Sequence, residues 1–281
     1  MSMMPTGAAR VAGVTGWPVE HSLSPRLHGY WLRKYGIDGI YAPFPIAPEN
    51  FETGIRGLQA AGVSGVNVTV PHKRLAFEIA DTLDPAAKLV GAVNTLVFRD
   101  DGGIEGRNTD APGFRLNLEA AGVDIPAGPA LLFGSGGAAR AVIQALLSAG
   151  SPEIRMLNRN PGRARELLQD AGDDRLKFAG HDPETVDISD VSLVVNTTSL
   201  GMAGGPDLDF DPARLPPEAV VHDIVYTPLE TGLLGRAKAR GLKTVDGLGM
   251  LLHQAAPAFE AFFGTRPEVD QALRAHLLEV M

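Results

Sequence analysis

Short apolar runs alternate with amphipathic stretches along the chain, separated by glycine, proline or asparagine. The segments RVAGVTG (10–16) and GVNVTV (65–70) read as strands. In the second, Val66, Val68 and Val70 alternate with Asn67 and Thr69, the period-2 pattern of a strand with one apolar face. SPRLHGYWLRKYG, APENFETGIRGLQAAG and VPHKRLAFEIAD are the helix signals of this first part. VGAVNTLVFRDDGGIEGRNTD reads as two strands joined by the turn Asp101-Gly102-Gly103. A second series opens at GPALLFGSGGAARAVIQALLSAG and continues through IRMLNRN, SLVVNTTSLGM and AVVHDIVY, each a buried strand followed by turn residues. Strand–helix alternation of this kind predicts an α/β fold with mainly parallel strands.

Two helices close the chain, LGMLLHQAAPAFEAFFG and PEVDQALRAHLLEV, the last with an apolar stripe of Val269, Leu273, Leu277 and Val280. This tail is too small for a core of its own and is predicted to dock on an earlier unit. Two domains are therefore expected, with a boundary near NTDAPGFRLNLEAAG.

Composition narrows the function classes. The 281 residues suffice for two ordinary domains with real cores. The 33 glycines exceed the usual share of roughly 7%, which suggests tight strand-to-helix turns. A net charge of −8 argues against a nucleic-acid surface, and the absence of cysteine excludes disulfides, thiolate chemistry and cysteine metal sites. The seven histidines lack paired ligand spacing, so no metal is expected. MSMMPTGAAR lacks the apolar core of a signal peptide, and no apolar run approaches a membrane span. A cytoplasmic protein is the expectation.

The glycine loop carries the clearest chemistry. In ALLFGSGGAARAVIQALL, Gly134, Gly136 and Ala139 stand between a four-residue apolar strand and a long helix. A dinucleotide fingerprint needs a first glycine for the turn, a second for close backbone approach and a third small residue for helix packing. The free N–H groups at the helix start then face a pyrophosphate. Its strand–helix setting favours this reading over an incidental turn. At the end of the next strand, an acid would bond the ribose of NAD, whereas arginine accommodates a 2′-phosphate. The chain has Asn158 and Arg159 there and Arg163 one turn on, with Asn160 available as a helix N-cap. The absence of an acid points to NADP.

Polar residues of the first part are less decisive one by one. Ser24 before Pro25 makes a good N-cap, whereas Ser22 has no such explanation; together the hydroxyls could hold a carboxylate. Asn94 lies in an apolar strand and needs a partner if buried. Asp110 could simply cap the following helix. Pro71 suits the first helical position, which puts Lys73 inside the first turn, where the helix dipole disfavours a cation. A lysine there is either a surface cation or a base for a secondary alcohol, whose proton must leave when its hydride does. A helix N-terminus makes a lysine a better base, and a nearby aspartate opposes that while orienting the ammonium.

At these residues the chain resembles the shikimate dehydrogenase family. The matching stretches are HSLSP, NVTVPHK, GAVNT, NTD, GSGGAAR, NRNPGRA, NTTSLGM and DGLGMLLHQA, in order from residue 21 to beyond residue 254. The resemblance implies a two-domain enzyme that reversibly reduces 3-dehydroshikimate to shikimate with NADPH in aromatic amino-acid (chorismate) biosynthesis. It implies an N-terminal α/β substrate domain of residues 1–109 with 246–281, and a Rossmann-type NADP domain of residues 110–245. The C-terminal helices would pack back on the first domain. Lys73 and Asp110 would form the catalytic pair, and Ser22 and Ser24 would bind the carboxylate. Thr69, Asn94, Asp110, Tyr226 and Gln254 would bond ring hydroxyls or the carboxylate. Gly134, Ser135, Gly136, Gly137 and Ala138 would form the pyrophosphate loop. Asn158, Arg159 and Arg163 would clamp the 2′-phosphate, and Ile224 and Gly247 would line the nicotinamide side. Two positions depart from the family pattern: Asn160 replaces a threonine of the clamp, and Ser135 an alanine of the loop. Asparagine still donates to phosphate, so NADP is expected.

Three alternatives stay open on sequence. A quinate dehydrogenase shares the scaffold, but such relatives differ around the serine pair and lean to NAD with an acidic clamp residue. A paralogue reducing an amino-substituted analogue is another. A catalytically silent NADP sensor is the third, since the fold alone does not specify function. The expected partner is a small-molecule substrate, without nucleic acid or membrane, in a monomer or homodimer.

Overall fold

The computed structural model describes residues 4–281. It divides into two units, one running to Asp110 and resuming at Leu252, the other spanning Ala111–Leu251. In the first unit, β1 (Arg10–Gly16), α1 (Ser24–Lys34), β2 (Gly39–Pro45), α2 (Phe51–Ala60), β3 (Gly65–Val68), α3 (Lys73–Ile79), β4 (Thr82–Leu83), α4 (Pro85–Val90), β5 (Thr95–Phe98) and β6 (Ile104–Arg107) precede the start of α5 (Asp110–Ala120). The sheet order is β2-β1-β3-β5-β6-β4. β1 runs parallel to β2 and β3, while β5 is antiparallel to both β3 and β6, so the expected Asp101–Gly103 turn closes a hairpin.

The inward valines of β3, Val66 and Val68, join Phe51, Ile55, Ala76, Leu96 and Ile104 in one buried cluster. A different aromatic cluster is supplied by the tail. Phe259 packs on Trp31 and His28, and the Trp31 indole N–H donates to the Glu268 carbonyl at 3.1 Å. The tail helices thus belong to the first unit's core, as α9 (Leu248–Phe263) passes into it and α10 (Gln271–Leu278) buries Leu273 and Leu277.

The second unit contains β7 (Ala130–Phe133), α6 (Gly137–Ser148), β8 (Ile154–Leu157), α7 (Pro161–Ala171), β9 (Leu176–Gly180), β10 (Leu193–Asn196), β11 (Val220–Asp223), α8 (Gly232–Ala239) and β12 (Lys243–Val245). Its strands are all parallel in the order β12-β11-β10-β7-β8-β9. That is the doubly wound dinucleotide order, with the chain reversing direction across the sheet between β7 and β10. Every residue of β7, β10 and β11 is buried, as parallel strands covered on both faces require.

Several local expectations need correction. β3 stops at Val68, and Val70 is exposed because its carbonyl accepts from Trp17 N–H at 3.0 Å, outside the ladder. α3 begins at Lys73 with His72 at the cap, not at Pro71. The His72 ring contacts the Ile46 carbonyl at 2.7 Å and stacks on Phe51, which fixes where the helix can start. Ser24 is the first residue of α1 and Leu23 its cap, so Ser24 is not the N-cap. Val269 precedes α10 and Val280 follows it, because Asp270 caps that helix by accepting from Leu273 N–H.

Two buried histidines give the fold an acid-sensitive limb. His28 stacks on Tyr41 with ring centroids 3.8 Å apart, and burial lowers it to about 3. His222, bonded to the Val245 carbonyl and packed near Phe114, is lowered by burial to about 4. The unfolded chain protonates both near pH 6.5, well above their folded values. The unfolded state therefore binds more protons below that point, and stability falls with decreasing pH by roughly 1.4 kcal/mol per unit per histidine. Above it their contribution is constant. Thermal unfolding across the acid range should show this slope flattened in a His28→Phe variant; an unchanged slope would remove His28 as a cause.

Candidate active site

The first unit gathers a buried polar cluster around the ends of β5 and β6. Asn94, just before β5, has its Nδ2 2.9 Å from each of Thr109 Oγ1, Asp110 Oδ1 and Gln254 Oε1, three acceptors that share its two protons. Its Oδ1 accepts from Thr109 N–H at 2.8 Å, which fixes the amide orientation. Asn94 thus lies just outside the strand the sequence put it in, and its buried amide finds its partners there. Asp110, at the start of α5, is further held by its own N–H, which donates to Asn108 Oδ1 at 3.1 Å. The Lys73 ammonium donates to Asp110 Oδ2. The lysine side chain is 16% exposed and the aspartate 5%, so the pair is largely withdrawn from water, the lysine less completely. Two of its protons remain for a ligand oxygen.

The cluster extends through residues that pattern reading passed over. Asn67 Nδ2 donates to Thr95 Oγ1 at 3.0 Å, and Tyr41 Oη donates to Asn67 Oδ1 at 2.7 Å. The Ser24 side chain lies beside the Tyr41 phenol, whose pKa burial pushes well above the ordinary value. Thr109, Asn67, Thr95 and Tyr41 were thus missed. Asn67 and Thr95 carried a usable signal as polar residues inside strand patterns; Tyr41, amid Pro43 and Pro45, carried none. Ser22 Oγ accepts from Ser24 N–H at 3.3 Å and makes no bond to the cluster. Thr69 lies nearby in sequence, its N–H donating to the Thr15 carbonyl. Lys73, Asn94, Asp110 and Gln254 are brought into direct contact; Ser24 lies beside Tyr41, outside that contact.

In the second unit the glycine loop connects β7 to α6. Gly134 has φ +110°, and a Cβ there would come within 2.7 Å of Thr197 Oγ1, so both conformation and space require glycine. Gly136 caps α6, and a Cβ on it would meet nothing within 4 Å. Open space in front of free N–H groups at a helix start fits a phosphate-bearing ligand. At the end of β8, Asn158 Nδ2 donates to Ser135 Oγ, tying the clamp segment to the loop. Asn160 caps α7 by accepting from Arg163 N–H at 3.1 Å. Arg159 and Arg163 are exposed and form no ion pair among the described residues, unlike Arg140 or Arg155, which face acids. Two free guanidinium groups beside the loop, with no carboxylate, suit a 2′-phosphate. Further along, Gly247 lies so close to Ile224 that a Cβ would meet its carbonyl oxygen at 2.2 Å. Tyr226 follows two residues after Ile224 and is partly exposed. The described residues include no group of three or more acids and histidines able to hold a metal ion, and no helix long and apolar enough to cross a membrane.

Known proteins match this arrangement closely. The family profile described as "Shikimate dehydrogenase substrate binding domain" matches residues 14–96, and "Shikimate 5'-dehydrogenase C-terminal domain" matches residues 247–275. A curated relative from Paramagnetospirillum magneticum, named shikimate dehydrogenase (NADP(+)), is 55% identical over 97% of this chain and 99% of its own. The chain belongs to the shikimate dehydrogenase family. Among solved members, the Thermus thermophilus shikimate 5-dehydrogenase, crystallised with NADP(H) and shikimate, is 36% identical with a TM-score of 0.86, covering 97% of this chain and all of that one. A quinate dehydrogenase from Corynebacterium glutamicum, solved with NAD, is 29% identical with a TM-score of 0.85, covering 96% and 99%. Family membership accounts for the doubly wound second unit and for a first unit that includes the chain's tail.

Proposed function

We propose that this chain is an NADP-dependent shikimate dehydrogenase that reversibly reduces 3-dehydroshikimate to shikimate in aromatic amino-acid biosynthesis. The observation that carries the reading is the Lys73–Asp110 pair held by Asn94 and Asn108 in a largely buried polar cluster. The bound NADPH supplies a hydride to the ketone carbon. The protein supplies the proton: the Lys73 ammonium donates to the carbonyl oxygen as it becomes an alcohol, and Asp110 orients that ammonium. In the reverse direction the same pair takes the proton up.

Asn94, Gln254 and Thr69 are assigned to the ring hydroxyls, and Ser22, Ser24 and Tyr226 to the carboxylate. Fixing the substrate by several directional bonds lets one carbon face the hydride donor, a positioning effect that supplies much of the rate. Residues 1–109 with 246–281 are assigned to substrate and residues 110–245 to the cofactor. Within the latter, Gly134 to Ala138 hold the pyrophosphate, Asn158, Arg159 and Arg163 the 2′-phosphate, and Ile224 the nicotinamide side, which Gly247, just beyond that segment, also lines. The enzyme is assigned to the cytoplasm.

The similarity to a quinate dehydrogenase solved with NAD makes that the reading to exclude. Steady-state rates on shikimate and quinate, each with NADP and NAD, should show shikimate with NADP as the preferred pair by about tenfold or more. Equal or better turnover of quinate with NAD would replace the proposal with that rival. Binding of NADPH without any shikimate oxidation would point to a silent sensor.

A further inference from the structure

At the end of β11, the Asp223 carboxylate is fully buried and meets three groups. Asn196 Nδ2 donates to its Oδ1 at 3.0 Å, as does Val225 N–H, and Thr231 Oγ1 donates to its Oδ2 at 2.8 Å. The direction of each bond is fixed. Asn196 Nδ2 also meets the Leu200 carbonyl, which can only accept, so the amide's donor end faces Asp223. Thr231 Oγ1 accepts from Leu234 N–H, which leaves its proton for the carboxylate. Three donors and no acceptor suit an ionised carboxylate. Among the described residues no cation pairs with it, and the charged group acting on it is another acid, Asp207. Burial pushes Asp223 above the ordinary carboxylate range, while the three donors pull it back.

The position of this charge in the sheet gives it a use. The 2′-phosphate clamp stands at the end of β8, on one side of β7, and the glycine loop at the end of β7 itself. A dinucleotide laid across the carboxyl ends of the strands therefore extends past β7 towards β10 and β11, the side of Asn196, Asp223 and Ile224. A nicotinamide ring is cationic when oxidised and neutral when reduced. We propose that Asp223 is a charge-tuning residue that favours the oxidised over the reduced cofactor. This inference rests on the NADP assignment above. When hydride passes to the ketone carbon and the new alcohol oxygen takes a proton from the Lys73–Asp110 pair, the cofactor gains one positive charge. The field of an uncompensated carboxylate in a low-dielectric interior favours that change and so assists reduction of the ketone.

The alternative is a purely structural role, in which Asp223 only holds the segment from Val225 to Thr231. The two differ in what neutralisation does. Calorimetric titration of wild type and Asp223→Asn with NADP+ and with NADPH separates them. The charge role predicts that NADP+ weakens about five- to twenty-fold more than NADPH, the scale of one buried charge acting on another across protein. Equal weakening of both forms, or an unchanged ratio, would overturn the inference while leaving the cofactor assignment standing. Failure of the wild-type chain to bind either form would overturn both. Should the amide variant misfold, Asp223→Ser is read in its place, since it leaves room for a water to meet the same donors. Arg159→Ala serves as the internal control: the 2′-phosphate is common to both forms, so its ratio should stay at the wild-type value.

Discussion

Lys73→Ala is expected to lower kcat by about a hundredfold to ten-thousandfold, the range for removing a positioned acid–base group. Affinity for NADP, measured by titration in the absence of shikimate, should stay within about twofold. Lys73 is the first residue of α3, a place the helix dipole disfavours for a cation, and its ammonium is held there by Asp110. The helix itself gains nothing from a cation at its first residue; the ammonium pairs with Asp110, and such a held pair suits proton transfer to an alcohol oxygen.

Truncation also leaves the Asp110 carboxylate buried with only neutral donors, and unpairing a buried charge destabilises. A fall in thermal stability is thus part of the expected result, and kcat must be read below the variant's unfolding transition. Since the lost contact is made to the reacting oxygen, kcat and kcat/KM should fall together rather than KM rising alone. Near-normal turnover by a folded variant would remove Lys73 from the chemistry.

What the amino-acid pattern revealed of the fold divides along a physical line. The strands recognisable from the sequence, β1, β3, β5 and β6 in one unit and β7, β8, β10 and β11 in the other, occupy the interior of the two sheets. Those without a readable signal, β2, β4, β9 and β12, are the four edges. An interior strand must be apolar on the faces it buries, so its pattern is strong. An edge strand pairs on one side only and tolerates prolines, charges and short length. β2 contains Pro43 and Pro45, β4 has two residues, and β12 starts with the exposed Lys243.

The candidate site was legible to a similar degree. Lys73, Asn94, Asp110 and Gln254 were named before any geometry and are in contact. Thr109 was passed over because a threonine beside an aspartate reads as helix-start chemistry; its bonds to Asn94 depend on β5 and β6 being neighbours. Tyr41 was passed over because it lies in an edge strand, and its hydroxyl finds Asn67 of β3, two strands away across β1. Ser24 shows the reverse error. Proline at the next position suggested a cap, yet Ser24 is already inside the helix and Leu23 takes the cap position.

Arg159→Ala should weaken NADP by about tenfold to a hundredfold and leave NAD within about twofold. Hydrogen bonds to charged groups contribute roughly 1.5–3 kcal/mol, and each 1.4 kcal/mol is a factor of ten in affinity. The guanidinium is exposed and has no ion pair among the described residues, so its loss should leave stability unchanged. Arg163, one turn into α7, keeps part of the phosphate interaction, which sets the upper end of the range. Asn160 gives less support, because its side-chain oxygen is occupied in capping α7 and only its amide protons remain for a ligand. The discrimination should also weaken with added salt, since exposed charges attract the 2′-phosphate through screened solvent. Titrations with both cofactors at low and high ionic strength test all three statements. A variant that loses NAD and NADP in equal measure would show that Arg159 supports the loop rather than the 2′-phosphate, and the basis for choosing NADP at this strand end would be gone.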